Sequence, residues 1–230
     1  MSQEKEWDRE YKRSKLLTLE NKPQADVVRF VRWLRKTEKV DLEHKSVLDL
    51  GSGTGRNSFY FAELGSKVVG FEISQTAITI AKENFKKIDG LSYDISYDKK
   101  NIGERFYVVD ESVDIVLDVT SSNSLNENER EVCLSETSRV LRSQGYFFVK
   151  AMCKDGDLNA KHLLKTCPGQ EKDTYILPDL GVTERVWSRE DFIKTYDKYF
   201  KILYLEKKSS YSKMNNRSYK RNFWICYMEK

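Results

Sequence analysis

Val47-Leu-Asp-Leu-Gly-Ser-Gly-Thr-Gly55, followed by Val68-Val-Gly-Phe-Glu72, is the stretch that decides the fold. An apolar run leads into three glycines at alternate positions. A helical pattern follows, carried by Phe59, Tyr60, Phe61, Ala62 and Leu64, and Gly65 stops it. A second apolar run then ends in an acid. The order is strand, glycine-rich turn, helix, strand, with strands predicted over 45–50 and 67–72. A dinucleotide loop reads G-x-G-x-x-G, because its third glycine lets the helix pack close to the strand. Here Arg56 stands at that place, and the run is D-x-G-x-G-x-G with Asp49 near the strand end. A carboxylate on the loop suits a cation and repels a diphosphate, an argument against NAD that does not depend on spacing.

Outward from this unit, the pattern continues as a Rossmann-like alternation of strands and helices. Pro23 opens an amphipathic helix with Val27, Val28, Phe30, Val31 and Leu34 on one stripe. Trp7, Tyr11, Leu16 and Leu17 are spaced helically in the charged first 20 residues. Ser74 is placed to cap a helix through Ala77, Ile78, Ile80, Ala81 and Phe85, and Gly90 ends it. Strands are predicted over 91–95, 112–119 and 146–152, with a helix over 127–141 and a brief extended piece at 106–109. Residues 153–185 carry Gly156, Pro168, Gly169, Pro178 and Gly181 and read as irregular; a loop that long is usually functional or mobile. Ser188 caps a helix over 189–199, and strands at 201–206 and 223–228 close an antiparallel hairpin. The expected architecture is α/β: a Rossmann-like, seven-stranded, mostly parallel sheet with helices on both faces and an antiparallel C-terminal hairpin. The expected organisation is one domain over 1–230, with a helical lid at 1–40, a cofactor-binding half at 41–152 and a substrate-side half at 153–230.

Composition bounds the function. The 230 residues are 33% charged and 39% hydrophobic, which fits a charged surface over an ordinary core. No apolar run reaches the roughly 20 residues that span a bilayer, and the first residues lack a basic-then-apolar leader, so no membrane partner and a cytoplasmic location are expected. Cys133, Cys153, Cys167 and Cys226 form no C-x-x-C pair, and His44 and His162 have no paired ligand, so no metal site is expected. Net charge is +4, too mild to demand nucleic acid. Lys207, Lys208, Lys213, Arg217, Lys220 and Arg221 are nonetheless gathered without an acid, with Tyr211 and Tyr219 among them. That stretch is either a solvated hairpin loop or a surface for phosphates and bases.

Asp49-Leu-Gly-Ser-Gly-Thr-Gly55 resembles motif I of the class I S-adenosylmethionine-dependent methyltransferases, and the resemblance covers about residues 40–150. It implies S-adenosyl-L-methionine as cofactor and methyl transfer as the activity. Gly51, Gly53 and Gly55 then let the backbone approach the amino-acid end and ribose, with Ser52 and Asn57 beside them. Asp49 meets the α-ammonium, directly or through water. Glu72 accepts both ribose hydroxyls, and Ile73 packs on the adenine. Asp94 takes the adenine amino group with Ile95 beside it, and Asp98 and Asp110 are the alternatives. Asp118 ends a strand in Asp118-Val-Thr-Ser-Ser-Asn123, where open parallel sheets place ligands. The Asn- or Asp-Pro-Pro-aromatic run of exocyclic-amine nucleic-acid enzymes is missing there.

Gly55-Arg-Asn-Ser58 with Phe59-Tyr-Phe-Ala62, and Trp7-Asp8-x-x-Tyr11, are similar to the tellurite-resistance and thiopurine group of small-molecule methyltransferases. In that group the N-terminal segment folds over the cofactor, which makes Trp7 and Tyr11 a lid over the pocket. The resemblance thus implies a small-molecule acceptor. The longer 153–185 segment and the basic hairpin depart from the group. They leave open methylation of RNA or protein, and a non-catalytic cofactor-binding subunit. Asp118, Tyr11, His162 and Glu184 are the titratable groups available as a base, and no catalytic residue is singled out.

Overall fold

The computed structural model describes residues 3–14, 21–86, 93–214 and 217–230. The strands are β1 (Ser46–Leu50), β2 (Lys67–Glu72), β3 (Ile95–Lys99), β4 (Val113–Val119), β5 (Leu141–Met152), β6 (Thr174–Ile176), β7 (Thr183–Arg185), β8 (Lys201–Met214) and β9 (Arg217–Glu229). The helices are α1 (Glu4–Lys12), α2 (Ala25–Lys36), α3 (Arg56–Glu63), α4 (Gln75–Lys86), α5 (Glu127–Val140), α6 (Leu158–Thr166) and α7 (Arg189–Tyr196). Seven strands form one sheet in the order β3-β2-β1-β4-β5-β9-β8, and β6 and β7 pair separately. β1 to β5 run parallel, while β9 is antiparallel to both β5 and β8.

Strand alternation sets the two faces. On β4, Val116 packs with Cys133 and Leu134 of α5 and Phe192 and Tyr196 of α7. Its neighbours Ile115 and Leu117 pack on the other face with Val27, Phe30 and Leu34 of α2 and Phe61 of α3. Buried on both faces, the central strands are near-continuous apolar runs, which is why the sequence displays them so clearly. The carboxyl ends of β1, β2, β3 and β4 therefore meet at one edge, where the order reverses between β1 and β4.

Four expectations change. β3 starts at Ile95, with Val68 opposite Ile95 and Glu72 opposite Lys99. Leu91 and Ser92, and the Gly90 stop, lie outside the described residues, as do Leu16 and Leu17. β3 is an edge strand in which Tyr97 is buried while Ser96, Asp98 and Lys99 are exposed, so no apolar run marks it. No strand forms at 106–109, where Phe106 is buried and Tyr107 and Val109 face solvent. The 153–185 segment is ordered as α6 and the β6–β7 pair. The closing hairpin is far longer than its apolar core, with β8 and β9 paired out to Met214 opposite Arg217.

Candidate active site

The turn after β1 forms a cradle. Gly51, Gly53 and Gly55 all have positive φ, at 65°, 57° and 80°. A Cβ on Gly51 would strike the Ser121 side chain, and one on Gly53 would lie 2.8 Å from the Tyr11 hydroxyl. Glu72 clamps this turn from the end of β2. Its Oε2 accepts from the Gly53 amide at 2.8 Å and its Oε1 from the Ser74 amide at 2.8 Å. The carboxylate is 4% exposed, and burial pushes its pKa up.

A cavity opens over the cradle. Gly51, Ser52, Gly53, Glu72 and Ile73 line its floor, and Trp7 and Tyr11 of α1 line it from another side. Arg56 and Asn57 at the start of α3 join Gln24, which precedes α2. Lys100, Asn101 and Ile102 follow β3, and Val119, Thr120 and Ser121 stand at the end of β4. Thus Gly51, Ser52, Gly53, Asn57, Glu72, Ile73, Trp7 and Tyr11 are brought together as the sequence anticipates.

Others are not. Asp94 and Ile95 sit at the amino end of β3, away from the ligand edge, and Asp94 faces solvent within 3.6 Å of Lys67. The slip of one strand's reading accounts for this; the cavity takes Lys100, Asn101 and Ile102 from the carboxyl end instead. Asp98 is exposed on β3, and Asp110 pairs with Arg139. Gly55 shapes the turn from beneath, because a Cβ there would strike Tyr97. Asp49 lies under the turn, 2% exposed, where the Ser58 hydroxyl donates to its Oδ2 at 2.5 Å. Burial raises its pKa to about 6; the Ser58 bond opposes this, and Glu72 and Asp118 add to it. Asp118 is also buried, and its Oδ1 accepts from the Ser121 and Ser122 amides at 2.9 and 3.1 Å. Three buried carboxylates therefore sit beneath or beside the cradle, a negative floor matched to a cation.

Of the groups offered as bases, the Tyr11 phenol is driven well above its ordinary pKa, first by burial and then by Glu72. His162 is exposed on α6. Glu184 is buried with the Tyr175 hydroxyl donating to it at 2.7 Å, and burial raises its pKa. Neither His162 nor Glu184 lines the cavity.

α1 fastens over this arrangement. Asp8 Oδ1 accepts from the Ser74 hydroxyl at 2.8 Å and the Thr76 amide at 3.0 Å, at the start of α4. Gln3 accepts from the Thr183 amide at 2.5 Å and donates to Thr183 O at 3.1 Å and to Ser124 O. Arg9 donates to Leu180 O at 2.6 Å, and Trp7 packs on a cluster that includes Tyr175, Leu177 and Val182. One short helix thus ties α4 to the segment after β5. Gln3, Gln24 and the residues after β3 carried no local sequence signal, since each is recruited by tertiary contact; Arg56 stood in the Gly55-Arg-Asn-Ser58 motif but was not singled out for the site.

A family model described as "Methyltransferase domain" matches residues 41–188. An uncharacterised methyltransferase of Schizosaccharomyces pombe is 29% identical over 108 residues, 47% of this chain and 72% of that protein. An S-adenosylmethionine-dependent methyltransferase structure from Methanosarcina mazei superposes with a TM-score of 0.70 at 19% identity, covering 82% of this chain and 93% of that one. TehB from Haemophilus influenzae gives a TM-score of 0.63 at 18% identity, covering 100% of this chain and 67% of that one. These two likenesses concern the fold.

Proposed function

Because the chain belongs to the methyltransferase-domain family and is an S-adenosylmethionine-dependent methyltransferase, we propose that it methylates a small-molecule acceptor in the cavity over the glycine turn. The observation that carries this reading is the roof: Trp7 and Tyr11 line the cavity while α1 is bonded on two sides, to α4 and to Leu180 and Thr183. A cavity covered on one side in this way suits a compact molecule.

The residues fit the cofactor. Each Glu72 oxygen takes one backbone amide and keeps lone pairs for the two ribose hydroxyls. Ile73 and Ile102 would offer apolar surface to the adenine, and Asn101, which lines the same cavity, would offer its polar edge a partner in place of Asp94. Gly51, Ser52 and Gly53 give the backbone its close approach. Asp49 and Asp118 act through the loop they brace, from beneath it, and supply negative potential. When bound, the cofactor supplies an electrophilic methyl group on a cationic sulfur. The chain holds the partners aligned, worth roughly 7–11 kcal/mol in favourable cases, and Trp7 and Tyr11 exclude water.

The residues that line the cavity support one class of acceptor atom. Among the described lining residues there is no histidine or cysteine, and the carboxylates are Glu72, committed to the turn, and Glu129. Tyr11 holds its proton firmly. This supports an acceptor that is nucleophilic without a protein base, such as a thiol ionised in part at neutral pH. The basic hairpin supports RNA less than its sequence suggests. Lys208 pairs with Asp26, Arg221 is buried against Asp157, and Lys207 Nζ lies 3.4 Å from Asp155 O. The side chains of Lys213 and Arg217 lie outside the described residues. Incubation with methyl-labelled S-adenosylmethionine and separate pools of thiols, amines, alcohols, RNA and protein is expected to label a thiol. Label confined to RNA or protein would overturn the small-molecule reading.

A further inference from the structure

β9 runs on past the end of β5. Their last pair is Met152 with Phe223, while β9 stays paired with β8 out to Arg217 opposite Met214. Because β9 is antiparallel to β5, its residues before Phe223 lie beyond the carboxyl end of β5, on the ligand edge of the sheet. Residues 217–222 carry the hairpin roughly 20 Å past Met152, at about 3.3 Å per residue. Between positions 207 and 222 there are six basic residues and no acid. Two of the six meet an acid from elsewhere: Lys208 pairs with Asp26, and Arg221 with Asp157. Lys207 and Lys220 are exposed, and neither pairs with a carboxylate among the described residues.

At the root of the hairpin two lysines stand on one acid. Asp26 Oδ2 accepts from Lys150 Nζ at 2.9 Å, and its Oδ1 accepts from Lys208 Nζ. One ammonium balances the carboxylate, so the second leaves an excess of positive charge that the ion pair itself does not need. Lys150 also donates to Gln24 Oε1 at 3.2 Å and lies 4.7 Å from the centre of the Phe223 ring. An ammonium has three N–H donors, so one on Lys150 and two on Lys208 have no protein partner among the described residues. The pair adjoins the cavity: Gln24, which accepts from Lys150, and Val119, its neighbour on β4, both line it. Arg56 is close enough to oppose the Lys150 charge. The glycine turn follows β1, and Lys150 lies on β5, two strands away in the sheet and about 10 Å across it. That distance sets the lysines apart from the cofactor residues of β1 and β2, on the side left for the acceptor.

We propose that the methyl acceptor is an organic anion whose carboxylate or phosphate is held by Lys150 and Lys208. The assignment rests on the small-molecule reading of the same cavity and deepens it by giving the acceptor a charge. Either anion accepts charge-assisted hydrogen bonds from the open ammonium donors. Lys207 and Lys220 raise its local concentration at the ligand edge. Positive charge beside the acceptor also favours a thiolate over a thiol, which suits a transfer that uses no protein base.

The test compares 3-mercaptopropionate with its uncharged amide, which keeps the thiol and the length, and adds 2-mercaptoethyl phosphate for the second anion. Binding is measured on the chain saturated with S-adenosylhomocysteine, and turnover with S-adenosylmethionine. At low salt one anion or both is expected to bind at least about tenfold tighter than the amide, and the tighter one names the group. High salt should narrow the gap. In Lys208→Gln, Lys150 still holds Asp26, and thermal unfolding confirms that the variant is folded. The variant is expected to weaken the anion about fivefold or more, and the amide and S-adenosylhomocysteine by no more than about twofold. An amide that binds as well as both anions would overturn the proposal. So would equal weakening of amide and anion in the variant, an anion that displaces S-adenosylhomocysteine, or no anion binding at millimolar concentration. Anion binding without methyl transfer would sustain the site and place the failure on the thiol reading.

Discussion

Glu72→Gln is expected to lower affinity for S-adenosylhomocysteine by roughly ten- to a hundredfold. The carboxylate serves two masters. It receives the amides of Gly53 and Ser74, one on each oxygen, and its remaining lone pairs face the cavity. A glutamine has the same shape but only one acceptor oxygen. Its NH2 would then confront either the Gly53 or the Ser74 N–H, leaving a buried donor unsatisfied at about 1–3 kcal/mol. The ribose loses a charge-assisted bond worth about 1.5–3 kcal/mol as well. The unsatisfied donor weakens the fold with or without ligand, so the binding loss is that of the ribose bond, about 1.5–3 kcal/mol, or roughly ten- to a hundredfold. Calorimetry on the folded variant measures the loss, and an unchanged affinity would reject Glu72 as the ribose partner.

Asp49→Asn is expected to change how stability depends on pH. The Asp49 carboxyl holds its proton up to about 6, well above the ordinary aspartate value of 3.8, because burial opposes ionisation and Glu72 and Asp118 repel the charge. A group whose folded pKa is raised stabilises the fold fully below the unfolded value and loses that contribution as pH climbs through the folded one. Between about pH 4 and pH 7 the wild-type chain therefore loses up to about 3 kcal/mol that the asparagine variant does not. Relative to wild type, the variant should gain on that climb by up to about 6–12 °C in Tm. Melting curves at pH 4, 5, 6 and 7 check this, and parallel curves for the two proteins would contradict it. The same acid explains why a cationic ligand is welcome: binding it favours ionised Asp49, so affinity should rise as pH rises from about 5 to 7.

The β1–turn–α3–β2 unit and Glu72 were legible because their chemistry forces residue types. Positive φ and a close backbone approach demand glycine at Gly51 and Gly53, and a double acceptor at the strand end demands an acid. Trp7 and Tyr11 were pointed to by the family resemblance, and both line the cavity. β3 was misread by four residues because an edge strand buries one side only, and Tyr97 alone marks it. α6 and the β6–β7 pair were hidden because distant groups hold them. Asp157 accepts from the Ala160 amide at 2.7 Å and pairs with Arg221 on the far hairpin at 3.2 Å. The outer hairpin alternates serine, lysine and tyrosine, a pattern that reads as loop until the pairing of Ser209 with Asn222 and Tyr211 with Lys220 is known. Gln3 and Gln24 escape local reading for the same reason: their partners are Thr183 and Lys150, each more than a hundred residues away.

Titration of the wild-type chain with S-adenosylhomocysteine tests the account most directly. The expected result is saturable binding of one ligand per chain with a dissociation constant in the micromolar range common for enzyme–ligand pairs. A chain that is folded by its melting curve and yet gives no binding heat at millimolar ligand would contradict it.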